Sequence, residues 1–201
     1  MQFDFERNNI LTDCQQGFRK RRSCETQLIL TINDLARGQN AKQQIGAVLL
    51  DFSKAFDRVP HQRLLLKLNH YGVRGNILRW TEDFVSARTQ EVIIEGSKSS
   101  PLPVTSGVPQ GTVLSPLLFL AYINDMPKCV QSEIKLFADD SLLYRRVRSS
   151  ADCHQLQEDL DKLQEWEQKW QMAFNADNCE VIRITNKKGP FVLTTPSTTR
   201  S

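Results

Sequence analysis

Two adjacent aspartates inside an apolar segment are the feature that most restricts how this chain can fold. The segment IKLFADDSLLY (134–144) places Asp139 and Asp140 between two apolar runs. Ionised carboxylates repel each other and resist burial, so the flanking runs can enter a core only if the pair stays at the surface or meets a counter-charge. A strand, an acidic turn and a second strand meet this condition. The segment therefore predicts a β-hairpin with both aspartates at its tip.

A third carboxylate is predicted at the end of another strand. The segment IGAVLLDF (45–52) is a short apolar run that reaches Asp51 near its end, which is typical of a buried strand. If this strand neighbours the hairpin in one sheet, Asp51 lies close to Asp139 and Asp140. Three converging carboxylates need a counter-charge, and oxygen-only ligands suit Mg²⁺ or Mn²⁺. The alternative is an ordinary turn, because aspartate side chains commonly bond nearby backbone groups there.

The remaining hydrophobic patterns predict a mixed chain of helices and strands. Spacing and boundary signals predict helices over 25–39, 60–71, 76–87, 112–125 and 152–170. Strands are expected over 90–96 and 180–185, and a loop rich in Pro, Gly and Ser over 97–111. The last helix carries an apolar stripe that indicates packing, formed by Leu156, Leu160, Leu163, Trp166 and Trp170. The predicted class is α+β, with roughly four core strands and helices packed on one face.

Composition narrows the classes of protein that the chain can belong to. Apolar residues make up 40% and charged residues 24% of its 201 residues, the balance of a globular domain. The five cysteines form no C-x-x-C pair, so neither a zinc site nor a disulfide framework is indicated. No apolar signal region opens the chain, and its longest apolar stretch, over 113–123, is too short to span a bilayer. We therefore expect an intracellular protein without a membrane partner, and the sequence does not choose between nucleus and cytoplasm.

Four segments, in this order, resemble the fingers motif and the catalytic motifs A, B and C of reverse transcriptases. They are QQGFRKRRSCETQL (15–28), AVLLDFSKAFDRVPH (47–61), SGVPQGTVLSPLLF (106–119) and LFADDSLLY (136–144). Together they are most similar to enzymes of non-LTR retrotransposons of the jockey-like LINE group, and four motifs in order are highly specific. The resemblance implies an RNA-directed DNA polymerase with an antiparallel palm over 45–188, partial fingers over 1–44 and a loose tail over 189–201.

The resemblance assigns a metal-binding role to motifs A and C. It implies that Asp51, Asp139, Asp140 and the backbone carbonyl of Phe52 hold two ions, Mg²⁺ or Mn²⁺. The implied reaction is attack of a primer 3′-hydroxyl on the α-phosphate of a deoxynucleoside triphosphate, with an RNA template.

Substrate contacts are implied in motifs A and B, at Lys54, Ala55, Phe56, Gln110 and Gly111. Backbone amides near Lys54 and Ala55 would face the triphosphate. Phe56 sits where the family places a steric gate, a ring that fills the space a ribose 2′-hydroxyl would need. From the residues alone, Phe56 would be a core aromatic at a strand-to-helix junction. Gln110 offers a donor and an acceptor near nucleotide and template, and glycines allow close approach of a backbone.

The basic run FRKRRS (18–23) is the strongest candidate for contact with nucleic acid. Clustered positive charge suits phosphates, and the resemblance implies that Arg19, Lys20 and Arg22 touch template or phosphate. The alternative is a solvated basic turn, which the residues support equally.

The chain also departs from the family pattern. In FNADNCEVIRIT (174–185), Asn178 occupies the place of a lysine that is thought to protonate the pyrophosphate leaving group, and asparagine cannot do so. We expect slower catalysis rather than none. Lys187 or Lys188 is the alternative proton donor, although the sequence gives no geometric reason for it. Upstream fingers strands, thumb and endonuclease segments of a longer polyprotein are expected to be missing. Two alternatives therefore stay open, a catalytically inert nucleic-acid-binding relic and an unrelated two-metal phosphohydrolase.

Overall fold

The chain combines six α-helices with a four-stranded antiparallel sheet in a computed structural model, and the structure describes residues 5–6, 8–186 and 189–191. The helices are α1 Cys24–Asn40, α2 Ala55–Arg58, α3 His61–His70, α4 Asn76–Ser86, α5 Leu114–Ile123 and α6 Ser150–Trp170. The strands are β1 Gln44–Leu50, β2 Thr89–Gln90, β3 Ile93–Ile94, β4 Ser97–Lys98, β5 Leu102–Pro103, β6 Glu133–Phe137, β7 Asp140–Val147 and β8 Glu180–Ile184. Short 3₁₀ turns cover Met126–Cys129 and Ala176–Asn178. The α+β class is confirmed.

The main sheet has the strand order β6-β7-β1-β8, with every neighbouring pair antiparallel. The predicted hairpin is confirmed as β6 and β7, which pair from Phe137 opposite Asp140 outward. Only Ala138 and Asp139 separate the two strands, and Ala138 has a left-handed backbone with φ of 55°. The hairpin tip is therefore a tight two-residue turn.

Helices contact both faces of this sheet rather than the one face that we expected. Neighbouring strand residues point to opposite faces, so Tyr144 and Arg145 mark the two sides. On one side Tyr144 donates a hydrogen bond to Asp34 of α1, with Oη 2.8 Å from Oδ2. On the other side Arg145 pairs with Asp152 of α6. The continuous apolar run of β1, without polar alternation, is the pattern of a strand that is covered on both faces.

Helices α5 and α6 bury their apolar residues as the sequence predicts. In α6, Leu156, Leu160, Leu163 and Trp166 are buried, which confirms these four residues of the stripe as packing, whereas Trp170 at the end of the helix is half-buried. In α5 the residues Leu118–Ile123 are all buried. Among the described residues, no helix is both long enough and apolar enough to cross a membrane.

The region 89–103 differs from its sequence prediction. In place of one strand over 90–96 and a loop after it, β3 pairs with β4 and β2 pairs with β5. The two residues between β3 and β4, Glu95 and Gly96, both have positive φ, at 50° and 83°. Two central residues of positive φ define the tight hairpin turn that matches strand twist, so the predicted strand folds back on itself.

The chain forms two compact units. One contains residues 54–123 together with the described residues before Thr12, and in it α3 packs against α4 and α5. The other contains Thr12–Ser53 and the described residues from Asn124 onward, and it holds the main sheet. Compactness does not identify either unit as fingers or palm, so the boundaries over 1–44, 45–188 and 189–201 stay a prediction. Residues 192–201 of the expected tail lie outside the described residues.

Candidate active site at the carboxylate end of the main sheet

The carboxylates of motifs A and C lie at the same end of the main sheet. Leu50 pairs with Ser141, so the next residues outward, Asp51 and Asp140, come from adjacent strands at the same edge. Burial, and then the negative charges of Asp139 and Asp51, raise the pKa of the Asp140 carboxyl above its ordinary value. The structure thus places the three aspartates at the same end of the sheet, and their convergence around a metal ion stays a prediction.

The donor chemistry of this cluster fits a hard divalent cation. All the donors are oxygens, and among the described residues no lysine, arginine or histidine forms an ion pair with any of the three aspartates. The three aspartates do not form a ready-made metal site, however. Within the described part of the chain, there is no group of three or more His, Cys, Asp or Glu side chains that could hold a metal ion as it stands. Binding would therefore require the carboxylates to draw together.

Asn178 is part of this cluster, which sequence analysis did not anticipate. Its Nδ2 donates a hydrogen bond to Oδ2 of Asp51 over 2.8 Å. The backbone of Asp51 is held as well, since its carbonyl accepts from the amide of Asn175 at 2.8 Å. Position 178 thus contacts the carboxylate of Asp51 directly. Lys187 and Lys188 lie outside the described residues.

Phe52 is fixed by aromatic packing behind the carboxylates. Its ring is buried and stacks on Phe174, with centroids 4.6 Å apart, and it also contacts Trp166 of α6. Phe52 and Phe174 form an isolated antiparallel bridge, but its hydrogen bonds are made by the backbone of the neighbours Asp51 and Ser53.

The residues implied in nucleotide binding lie in the other unit. Phe56 is half-buried, and its ring stacks on Phe119 with centroids 4.6 Å apart. Its backbone carbonyl accepts a hydrogen bond from Val108, which ties motif A to the motif B loop. Lys54 is exposed and left-handed at the start of α2, whereas Ala55 is buried. These contacts fix where the residues lie, and their contact with a nucleotide stays a prediction.

The motif B loop is bound to α2 by side chains as well as by backbone. Gln110 donates from Nε2 to Oδ1 of Asp57 at 2.8 Å, so its amide already has a partner within the chain. Gly107 has φ of 90°, and a Cβ there would lie 2.7 Å from the carbonyl oxygen of Asp57. Close approach at Gly107 therefore serves the fold itself. Gly111 also has positive φ but faces open space.

The basic run is partly used inside the chain. Arg19 donates from Nη1 to the carbonyl of Thr12 at 2.6 Å, and Arg22 donates from Nη2 to Oδ1 of Asp13 at 2.6 Å. The hydrogen bond from Arg22 and its positive charge hold the pKa of Asp13 below its ordinary value. Lys20 is exposed. Nucleic-acid contact by these residues remains a prediction.

Curated relatives of this chain are polymerases of mobile elements. The RNA-directed DNA polymerase from mobile element jockey of Drosophila melanogaster is 33% identical over 184 residues, which cover 87% of this chain and 20% of that protein. The Drosophila funebris jockey polymerase is 32% identical over 181 residues, covering 86% of this chain and 20% of that protein. The probable polymerase from transposon X-element is 28% identical over 189 residues, covering 91% and 21%. The chain spans about a fifth of the length of these relatives.

Solved structures with a similar fold include telomerases. Telomerase from Candida albicans, in complex with a TWJ fragment of telomeric RNA, matches with a TM-score of 0.63 and 15% identity, covering 84% of this chain and 32% of that one. Apo telomerase from Candida tropicalis, truncated from the C-terminal domain, matches with a TM-score of 0.59 and 15% identity, covering 83% and 36%. At this level of identity the likeness concerns the fold alone.

A family model supplies the decisive comparison. The model described as reverse transcriptase (RNA-dependent DNA polymerase) matches residues 2–195, nearly the whole chain. The relatives named above are polymerases of jockey and the X-element, which agrees with the non-LTR retrotransposon resemblance of the four motifs. The chain therefore belongs to the reverse transcriptase (RNA-dependent DNA polymerase) family and is similar to the polymerases of jockey-like non-LTR retrotransposons.

Proposed function

We propose that this chain carries the catalytic centre of an RNA-directed DNA polymerase that extends a DNA primer on an RNA template. The observation that carries the proposal is the location of Asp51, Asp139 and Asp140 at the same end of the main sheet. Family membership supplies the reaction class, nucleotidyl transfer from a deoxynucleoside triphosphate. The relatives are about five times longer than this chain, so we propose their polymerase activity for it on the strength of the site and the family. Its expected setting is inside the cell, as one segment of a longer polyprotein.

The proposed metal ligands are the three aspartates and the carbonyl of Phe52. Two divalent ions, Mg²⁺ or Mn²⁺, would when bound activate the primer 3′-hydroxyl and neutralise the charge on the leaving pyrophosphate. The chain's own contribution is to position the ligands. Asn178 holds one oxygen of Asp51, and aromatic packing around Phe52 fixes the backbone beside it.

The proposed nucleotide contacts are Lys54, Ala55, Phe56, Gln110 and Gly111. Stacking on Phe119 restrains the ring of Phe56, which suits a steric gate because a gate must not swing aside. The bond to Asp57 restrains Gln110, so that residue would meet a nucleotide in a fixed orientation. For the template and primer, the proposed contacts are Arg19, Lys20 and Arg22, of which Lys20 is exposed and therefore available to phosphate.

Primer extension on an RNA template, with Mg²⁺ or Mn²⁺, tests the proposal. We expect the chain to incorporate deoxynucleotides. In Asp139→Asn the rate of incorporation should fall by roughly 100-fold or more. The matched control is Asp161→Asn, which changes an exposed aspartate of α6 and should leave incorporation intact. RNA binding without incorporation in either metal would overturn the proposal and favour an inert nucleic-acid-binding relic. Phosphate release from the nucleotide without primer extension would favour a phosphohydrolase.

A further inference from the structure

We propose that Gln15 is a positioning residue for the catalytic turn, acting through Ala138 on the adjacent Asp139. The inference rests on the proposed function, since it gives Asp139 a metal-binding role. Gln15 stands in the fingers-like segment, far in sequence from the hairpin, and the implied nucleic-acid contacts of that segment do not include it.

The side-chain amide of Gln15 clamps both backbone groups of Ala138. Its Nε2 donates to the carbonyl of Ala138 at 3.1 Å, and its Oε1 accepts from the amide of Ala138 at 2.9 Å. Gln15 is only 2% exposed, so these bonds form away from water. A buried donor or acceptor without a hydrogen-bond partner destabilises the fold, because water cannot replace the lost bond. The same Oε1 also accepts from the amide of Gly17 at 2.7 Å, which orients the amide group toward the turn.

The clamped residue is one whose backbone needs support. Ala138 has φ of 55°, a left-handed conformation that residues with a side chain adopt only where the surroundings enforce it. It directly precedes Asp139, and together the two residues make up the tip of the hairpin. The direction in which the Asp139 carboxylate leaves the turn therefore depends on the backbone that Gln15 holds.

The segment 14–17, which contains Gln15, packs directly against the hairpin. Gln15 forms a parallel bridge with Leu136, through Gln16 N to Leu136 O at 2.8 Å and Leu136 N to Cys14 O at 2.9 Å. A Cβ on Gly17 would lie 2.3 Å from the amide nitrogen of Ala138, so only glycine allows this approach. Backbone pairing and close packing thus deliver the Gln15 amide to the turn.

The guanidinium groups of Arg19 and Arg22 also hold the backbone of this segment. Arg22 donates from Nη1 to the carbonyl of Gln15 at 3.1 Å and to that of Asp13 at 2.8 Å. Arg19 donates to the carbonyl of Thr12. The side chain of Arg19 is only 7% exposed, which suits a role within the fold.

The test compares Gln15→Met, which keeps the size of the side chain and removes both bonds to Ala138 as well as the bond to Gly17, with Gln15→Glu, which keeps the acceptor. Two readouts are measured on the full chain, hydrogen exchange of the Ala138 amide and Mn²⁺ affinity. We expect Gln15→Met to accelerate exchange at Ala138 at least tenfold and to weaken Mn²⁺ binding several-fold. Gln15→Glu should show intermediate exchange, and it also keeps the test open if the Met variant does not fold. The matched control, Gln16→Met, alters the neighbouring glutamine, whose side chain bonds Asp13, and should change neither readout.

Two results would overturn the positioning role. One is unchanged exchange at Ala138 in both variants. The other is faster exchange with wild-type Mn²⁺ affinity, which would reduce the clamp to a structural contact. Failure of the proposed function gives a different result, because the unmutated chain would then show no Mn²⁺ binding that Asp139→Asn abolishes.

Discussion

Asn178 makes a contact that its position in the family pattern does not suggest. The family resemblance led us to expect a missing proton donor at Asn178. The structure shows in addition that its amide is bound to Asp51 at 2.8 Å. A lysine at this position would therefore bring a positive charge to a proposed metal ligand as well as a proton to the leaving group.

Asn178→Lys should raise the maximal rate and weaken metal binding together. A supplied general acid speeds a limiting proton transfer, by roughly tenfold or more, while an ammonium group beside Asp51 competes with cations. Primer extension measured across a range of Mg²⁺ concentrations separates the two effects. The control is Asn178→Ala, which removes the amide without adding charge. No change in the rate at saturating Mg²⁺ would argue that the missing proton donor does not limit turnover.

Asp140→Asn should stabilise the protein at neutral pH while abolishing or impairing activity. The raised pKa of Asp140 means that its ionised form is disfavoured in the fold, by burial and by Asp139 and Asp51. The side chain is exposed, so the gain is at most about 1 kcal/mol. As pH falls through the raised pKa, the folded protein takes up this proton before the unfolded chain does, and the difference between the variants should vanish. Urea unfolding at several pH values measures this, and a difference that grows toward low pH would contradict it.

Phe56→Val should relax discrimination against ribonucleotides. The ring is held by stacking on Phe119, so shortening the side chain opens space where a 2′-hydroxyl would sit. The ratio of kcat/KM for a deoxynucleotide to that for its ribonucleotide should fall roughly tenfold or more, a difference of about 1.4 kcal/mol. Phe56→Tyr retains the bulk and should keep the ratio high. An unchanged ratio in Phe56→Val would assign Phe56 to the core alone.

At the scale of helices and strands, local patterns predicted most of the elements, whereas long-range contacts escaped them. The hairpin 134–144 and the apolar stripe of α6 follow from local periodicity, and both are confirmed. The predicted strand 90–96 was wrong, because a turn at Glu95 and Gly96 overrides the β propensity around it. No periodicity connects Gln15 with Ala138 or Asn178 with Asp51, since pairing of remote segments creates those contacts.

Gly107→Ala should weaken the connection between the motif B loop and α2. A Cβ at this position would stand 2.7 Å from the carbonyl of Asp57, and φ of 90° adds backbone strain. We expect a loss of stability of roughly 2 kcal/mol or more, measured by urea unfolding. Gly111→Ala is the matched control, because it shares a positive φ but faces open space, so its loss should be smaller. Equal losses would show that the contact with Asp57 contributes nothing.

For the whole molecule, the two compact units divide the proposed chemistry. The unit with the main sheet carries the proposed metal ligands, and the unit with residues 54–123 carries Phe56 and Gln110. The chain changes unit between Ser53 and Lys54, inside motif A. A motif that reads as continuous in sequence thus belongs to two packing environments, which sequence patterns alone do not reveal.

Divalent metal should stabilise the whole fold if the aspartate cluster binds it. A ligand at 100 times its dissociation constant contributes about 2.7 kcal/mol, a rise in Tm of roughly 5–10 °C for a chain of this size. Thermal unfolding with Mn²⁺ and then with excess EDTA measures this rise and its reversal. Asp139→Asn should lose the shift, and Asp161→Asn should keep it. A shift that persists in Asp139→Asn would place the metal elsewhere.

The contact between Gln15 and the hairpin turn also has a consequence for the order in which the protein folds. Gln15 and Ala138 are separated by 123 positions, so the amide that shapes the turn leaves the ribosome long before the residue it holds. Contacts between such remote segments carry a large loop-closure entropy and form late in folding. The nascent chain can therefore complete its local helices first, and the aspartate tip acquires its final geometry only when the two ends of the sheet-bearing unit come together.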